Sequence, residues 1–299
     1  MAGGDLKATG ADGDIRRASM APATEASALL GIGRAAVVAL YDELALEPKP
    51  GLVSFVDSGS HSDMDAQTFM RSLFSLRHTF SRLAALGAAG SHFPDLEREG
   101  VAAEARMLHA TGGINTHRGA IFTLGLLCAG AGKLRALGVA VNAPALRSTL
   151  LDQWGDALAR RVPPSQPSHG SLAARSLGLR SANAEAALGF PVLFETTLPA
   201  LRDSLSRGSA PRLARIDALF HTMTVLDDTN LAHRGGLAGL RFVQRAARDY
   251  LRAGGAVRAD GVDHARRLHR EFVARRLSPG GAADLLAAAC WAERLCRPE

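Results

Sequence analysis

The sequence predicts an all-α chain, and three observations carry that expectation. From Glu25 to Leu46 the residues Gly33, Val37, Tyr41 and Leu44 recur at steps of three and four, the period of one helical face. Ala, Leu and Arg, all strong helix formers, fill most of the other segments, while alternating runs of Val, Ile and Thr are nearly absent. The 299 residues, 47% hydrophobic and 21% charged, suffice for one large buried core, and no apolar run is long enough for a transmembrane helix.

Taken in chain order, residues 1–24 mix Gly, Asp, Lys and Arg ahead of an Ala-Pro-Ala-Thr stretch and lack the apolar segment of a secretory signal. They read as a disordered tail on a cytoplasmic protein whose single helical domain covers 25–299. Helical periodicity then predicts Ala66–Gly87, Leu96–Thr111, His117–Leu137, Ala143–Arg160, Glu185–Arg207 and Arg212–Leu226, followed by Gly235–Ala253, Asp260–Arg276 and Gly281–Cys296. Residues 48–65 and 162–183, rich in Pro, Gly and Ser, break the period. Connections of that length in compact domains are usually functional or disordered.

The net charge of +6 comes with only 5% aromatics and no basic run interleaved with stacking rings, so an anionic small molecule is expected rather than nucleic acid. Cys128, Cys290 and Cys296 form an odd set without a CxxC pair, which suits neither a disulfide framework nor a cysteine zinc site. Of the 35 basic residues only Lys7, Lys49 and Lys133 are lysine, which makes Lys49 a distinctive choice.

Four polar constellations interrupt the apolar helices. In the first, Pro48 and Pro50 stiffen the backbone around Lys49 and Gly51, and His61, Asp63 and Asp65 follow; the cation and the hard oxygens suit phosphate with Mg²⁺, while Ser62 or Asp63 also suits capping of the next helix. The second, Thr111 to Ala120, sets Asn115, Thr116, His117 and Arg118 at the start of a very apolar helix, where free backbone amides attract anions. Glu104, on the otherwise apolar face of the helix before it, is either paired with an arginine or poised as a base. The third repeats that opening: Asp227 and Asp228 precede Asn230, His233, Arg234 and Gly235, with Asp228 a further metal-ligand candidate. In the fourth, Ser278 and Pro279 suit a helix start, and Gly280 and Gly281 allow close approach of a phosphate or a neighbouring helix. No GxxxxGK[ST] loop, GxGxxG turn, HExxH or GxSxG motif is present.

In this order the segments resemble the triphosphoribosyl-dephospho-coenzyme A synthase family, whose pattern runs through PKPGLV, G-x-H-x-D-M-D, G-[VI]-N-T-H-[KR]-G-A-I, an aspartate-threonine box and SPGG-x-ADLL. Stretches 110–122 and 166–191, the latter with His169, Glu185 and Gly189 to Pro191, are more similar to the branch serving malonate decarboxylase than to the citrate lyase branch. Ser54 and Asn183 depart from the pattern, standing where many relatives carry Asp and Arg.

The resemblance implies a helical transferase that takes ATP and 3'-dephospho-coenzyme A, releases adenine and makes the precursor of a prosthetic group later placed on an acyl carrier protein. Nucleic acid and membrane are not implied as partners, and a homo-oligomer is compatible with the pattern. The reading of the residues, taken with that chemistry, makes Glu104 the expected base and Asp228 and His117 further catalytic candidates. Lys49, Pro50, Gly51, His61, Asn115, Thr116, Arg118, His169, Asn230, Arg234, Ser278, Gly280 and Gly281 would bind the nucleotides, and Asp63, Asp65, Asp227 and Asp228 would bind Mg²⁺. Two other readings suit the residues: a helical Mg²⁺-dependent ADP-ribose or phosphate-ester hydrolase, and a non-catalytic module docking the carrier protein, for which Glu104 and Asp228 should be exposed.

Overall fold

The computed structural model describes residues 12–161 and 169–296, with side chains from residue 25 and, beyond the gap, from residue 172. Among them the regular structure is helical, without strands. The order is α1 (Asp12–Ala45), α2 (Ala66–Ser75), α3 (Thr79–Ala88), α4 (Phe93–Thr111), α5 (Arg118–Ala136), α6 (Ala143–Leu150), α7 (Asp156–Ala159) and α8 (His169–Leu177). It continues with α9 (Ala182–Ala187), α10 (Leu198–Ser206), α11 (Pro211–Val225), α12 (Thr229–Arg252), α13 (Gly261–Ala274) and α14 (Gly280–Leu295). Of the expected tail, residues 1–11 lie outside the described residues, and α1 begins at Asp12 rather than at Glu25. No described helix is long and apolar enough to cross a membrane.

The bundle is organised around α5, which is apolar on nearly every side and buried from Ala120 to Gly132 except at Phe122. Helices α1, α3 and α14 pack against it. Two glycines set the spacing to α3: a Cβ on Gly87 would stand 1.9 Å from the Ala129 carbonyl oxygen, and one on Gly132 would stand 1.9 Å from that of Ala84. The backbones approach too closely for any side chain at either point. Helix α14 is equally buried, with Ala282, Leu286, Ala288, Ala289 and Trp291 on its inward faces and the Trp291 indole donating to the Ile32 carbonyl.

Four predicted elements differ from those observed. The segment expected as one helix over 66–87 is two, α2 and α3, turning at residues 76–78, because α2 packs on α4 whereas α3 must lie along α5. The stretch 143–160 contains a π-helical turn, Leu151–Gly155, between α6 and α7. The helix expected over 185–207 is broken at Gly189 and Phe190, both with positive φ, before a second π turn, Leu193–Thr197, leads into α10. Helix α12 starts at Thr229, six residues before its predicted start. Gly236, at φ 59° and ψ −167°, kinks the chain where the periodic pattern begins. Helix α8 also lies inside a stretch expected to be irregular.

Candidate functional site

The loop after α1 carries Lys49 inward rather than toward solvent. Its side chain is 1% exposed, and Nζ lies 2.5 Å from Glu43 Oε1 on the last turns of α1. Burial lowers the proton affinity of this ammonium, and the Glu43 carboxylate opposes that effect. The loop is pinned from the far end of the chain. His269 on α13 donates from Nδ1 to the Lys49 carbonyl at 3.0 Å and approaches Asp57 through Nε2 at 3.1 Å. Ser60 donates to the Leu277 carbonyl at 2.6 Å, and a Cβ on Gly51 would be 2.1 Å from that same oxygen. Arg234 Nη2 donates to His61 Nδ1 at 3.0 Å, which leaves the proton on Nε2 to bond Ser278 Oγ at 3.0 Å.

At the start of α5, His117 is 3% exposed. Its Nδ1 shares a 2.6 Å hydrogen bond with Ser72 Oγ on α2, its ring meets Phe69 edge-on, and Nε2 is buried without a partner. Burial and then the Lys49 charge push its pKa down to about 3, so the imidazole is neutral. Thr116 Oγ1 and Arg118 Nε are also buried and unpartnered, so three successive residues hold polar atoms without partners at one helix end. Asn115 Oδ1 accepts the Arg118 amide at 3.1 Å. The Arg118 guanidinium pairs with Glu104, whose carboxylate is partly exposed.

Asp228 joins two helix starts. Its Oδ1 accepts the Asn230 and Leu231 amides at 2.9 and 3.3 Å as the N-cap of α12, and its Oδ2 accepts the Ala282 amide of α14 at 3.0 Å. It is 2% exposed, and burial raises its pKa to about 6 despite these bonds. Gly280 and Gly281 permit the approach: a Cβ on the first would meet Asn230 Nδ2 at 2.7 Å, and one on the second would meet Asp228 Oδ2 at 3.1 Å. One turn into α14, the Asp284 carboxylate accepts the Ala120 amide and faces Glu43 and Asp228. A Cβ on Gly119 would stand 2.0 Å from its Oδ2.

Between these helix ends lies a half-open cavity of about 140 Å³. Phe190, Val192, Leu226 and Leu285 form its apolar wall, and Asp227, Asp228, Asp284, Glu185, Thr123 and Arg180 form its polar one. Phe190 holds φ at 51°, rare for a residue with a side chain, while its ring is 2% exposed. Glu185 fixes that wall by accepting the Val192 amide at 2.6 Å and the Arg180 guanidinium at 3.1 Å. Asp227 accepts the Arg180 amide at 3.0 Å.

The structure therefore brings Lys49, Pro50, Gly51, His61, His117, Asp228, Asn230, Arg234, Ser278, Gly280 and Gly281 together around adjoining helix ends, with Asn115, Thr116, Arg118 and Glu104 beside them. Asp228 is buried, unlike the exposed residue a docking module would present. The expected metal set is not gathered. Asp63 is 59% exposed beside His61, and Asp65 caps α2 by accepting the Thr68 amide and hydroxyl, each at 2.8 Å. Among the described residues no group of three or more His, Cys, Asp or Glu side chains is placed to hold a metal ion. The side chain of His169 lies outside the described residues. Of the two departures, Ser54 Oγ accepts the Val56 amide within the loop, and Asn183 donates to the Leu158 carbonyl at 2.7 Å.

Sequence reasoning missed Glu43, Ser72, Arg180 and Asp284. Asp284 sits in the SPGG-x-ADLL box and Glu43 six residues before Lys49, so the first had a motif to mark it and the second only its proximity. No solved structure matches the chain. A family model, CitG, described as ATP:dephospho-CoA triphosphoribosyl transferase, matches residues 30–299, from within α1 to α14 and including every segment of the site. By that match the chain belongs to the CitG family and is a transferase of the triphosphoribosyl-dephospho-CoA synthase class.

Proposed function

We propose that this transferase joins the triphosphoribosyl group of ATP to the 2'-hydroxyl of 3'-dephospho-coenzyme A to make the prosthetic-group precursor for the acyl carrier protein of malonate decarboxylase. The branch rests on one observation, the resemblance of 110–122 and 166–191 to the malonate decarboxylase relatives. Breaking the bond between C1' and adenine builds positive charge on the ribose, and the attacking hydroxyl must lose a proton. The charge pattern of the site suits both needs. Beside a protonated Asp284, the cavity's three other carboxyls, Glu185, Asp227 and Asp228, outnumber its one arginine, which repels a triphosphate and favours a ribosyl cation. The triphosphate belongs with Arg118, Arg234 and the α5 amides, where Thr116, His117 and Arg118 hold unpartnered polar atoms.

Glu104 takes the hydroxyl proton in this proposal, exchanging its Arg118 partner for the substrate as the guanidinium turns to phosphate. Lys49 acts from beneath, fixing Glu43 rather than clamping phosphate itself. Mg²⁺, expected with ATP, has no preformed cage among the described residues, because Asp65 and Asp228 are engaged with backbone amides. Its ligands would be chiefly triphosphate oxygens, and it would neutralise and orient the triphosphate there.

The purified enzyme given ATP and 3'-dephospho-coenzyme A should release adenine and form the coupled nucleotide in equal amounts, read by chromatography and mass. Adenine with free triphosphoribose would make it a hydrolase instead. In cells lacking their own synthase, the chain should restore loading of the malonate decarboxylase carrier protein; loading of the citrate lyase carrier alone would overturn the branch.

A further inference from the structure

We propose that Asp284 is the acid of this reaction: its carboxyl touches the purine of ATP in the cavity between α5, α12 and α14 and gives a proton to the departing adenine. The inference rests on the triphosphoribosyl-transfer reading and deepens it.

The bonds of the cavity carboxylates single out this residue. Asp228 accepts amides on both oxygens, from α12 and from α14. Glu185 holds Val192 and Arg180, and Asp227 holds the Arg180 amide. Among the described residues Asp284 has one hydrogen bond, from the Ala120 amide, so its carboxyl keeps bonding capacity for a ligand while lining the cavity. The fold makes room for it. Gly119 carries no Cβ at the one point where a Cβ would collide with Oδ2 at 2.0 Å.

The charges around Asp284 favour its protonated form. Burial first, and then the negative charges of Glu43 on α1 and Asp228 at the start of α12, hold its carboxyl well above the usual carboxylate range. Lys49 is already paired with Glu43, and Arg180 across the cavity is held by Glu185. His117, at the start of α5, is neutral. Opposite lie Phe190, Val192, Leu226 and Leu285, an apolar wall suited to the face of a purine ring.

The step balances. The bond between C1' and N9 breaks with its electron pair going to the purine, which takes the Asp284 proton and leaves as neutral adenine. The 2'-hydroxyl oxygen forms the new bond to C1', and its proton goes to Glu104. Exchange with water then returns a proton to Asp284 and removes one from Glu104, so the cycle consumes no other reactant.

The test uses the full chain and two nucleotides, ATP and its N7-methyl analogue, whose positively charged base leaves without being protonated. Asp284→Asn should bind ATP within about threefold of wild type, lose on the order of a hundredfold or more in adenine release, and regain most of that loss with the analogue. Glu104→Gln should stay slow with both nucleotides. In the wild type, which needs no variant to fold, the fall of turnover with ATP at rising pH should vanish with the analogue. Undiminished adenine release by Asp284→Asn, no recovery with the analogue, or an unchanged alkaline fall would each overturn the proposal. A wild type that releases no adenine at all would instead remove the transferase reading on which it rests.

Discussion

Lys49 brings a full positive charge into the interior, and its value to the protein depends on Glu43. Both side chains are at most 7% exposed, so neither charge can return to water if the other is removed. Lys49→Met is expected to leave Glu43 buried and unpaired and to cost about 3–5 kcal/mol, measured by urea unfolding. The double variant Glu43→Leu/Lys49→Met should recover much of that stability, since an apolar pair of similar volume often replaces a buried ion pair well. It should not recover turnover, because the loop that shapes the site loses its anchor. A single variant as stable as wild type would show that the pair is solvated. The rarity of lysine in the chain marks Lys49 as unusual, but the residue types alone suggest a phosphate clamp. The inward turn depends on tertiary bonds from His269 and Ser60, which no local pattern encodes.

At the scale of helices, the α3/α5 contact carries the sharpest packing constraint. Gly87→Ala would place a methyl group 1.9 Å from a backbone oxygen that cannot move aside, so the two helices must separate. A loss of about 1–3 kcal/mol or more is expected, read as a lowered denaturant midpoint. Gly100, inside α4, has nothing within 4 Å of its added Cβ, and Gly100→Ala should raise stability by up to about 1 kcal/mol through helix propensity. Equal effects at the two positions would refute this packing account. Helix type was legible in most segments because Ala, Leu and Arg fill them, but not in α8 or the first turns of α1, whose Pro, Ser and Gly content hides them. The break at 76–78 was not, because its cause is the different partners of α2 and α3. The start of α12 was hidden for a related reason: Asp228 caps it and α14 together, and the kink at Gly236 resets the periodic pattern.

In the whole molecule, four segments separated by up to about 230 residues meet at one set of helix ends, and their Pro, Gly and polar punctuation made those segments visible in the sequence. The roles within them were less legible. Asp65 has the chemistry of a metal ligand but the position of a cap, and Asp284 resembles an ordinary helix residue until Gly119 and Ala120 come against it. Assembling the site also buries groups with opposed proton linkage. His117 is neutral down to about pH 3 in the folded state but takes a proton near 6.5 when unfolded, so its contribution is present above 6.5 and is lost as pH falls. Asp228, raised from the ordinary value of 3.8 to about 6, works in the other direction: its contribution is present below 3.8 and is lost as pH rises toward 6. Between about pH 4 and 6 the two slopes, each up to about 1.4 kcal/mol per pH unit, offset each other in the wild type. Removing either group should expose the other. His117→Asn should lose relative stability as pH rises through that window, and Asp228→Asn should gain it, both followed by urea unfolding at a series of pH values. The carboxamide that Asp228→Asn introduces lowers the absolute stability through a lost acceptor for the Ala282 amide, so the slope and not the offset is the quantity to compare. Parallel curves for wild type and both variants would mean that neither group changes its proton affinity on folding, and that the helix ends meet in a wetter site than the packing of Lys49, His117 and Asp228 describes.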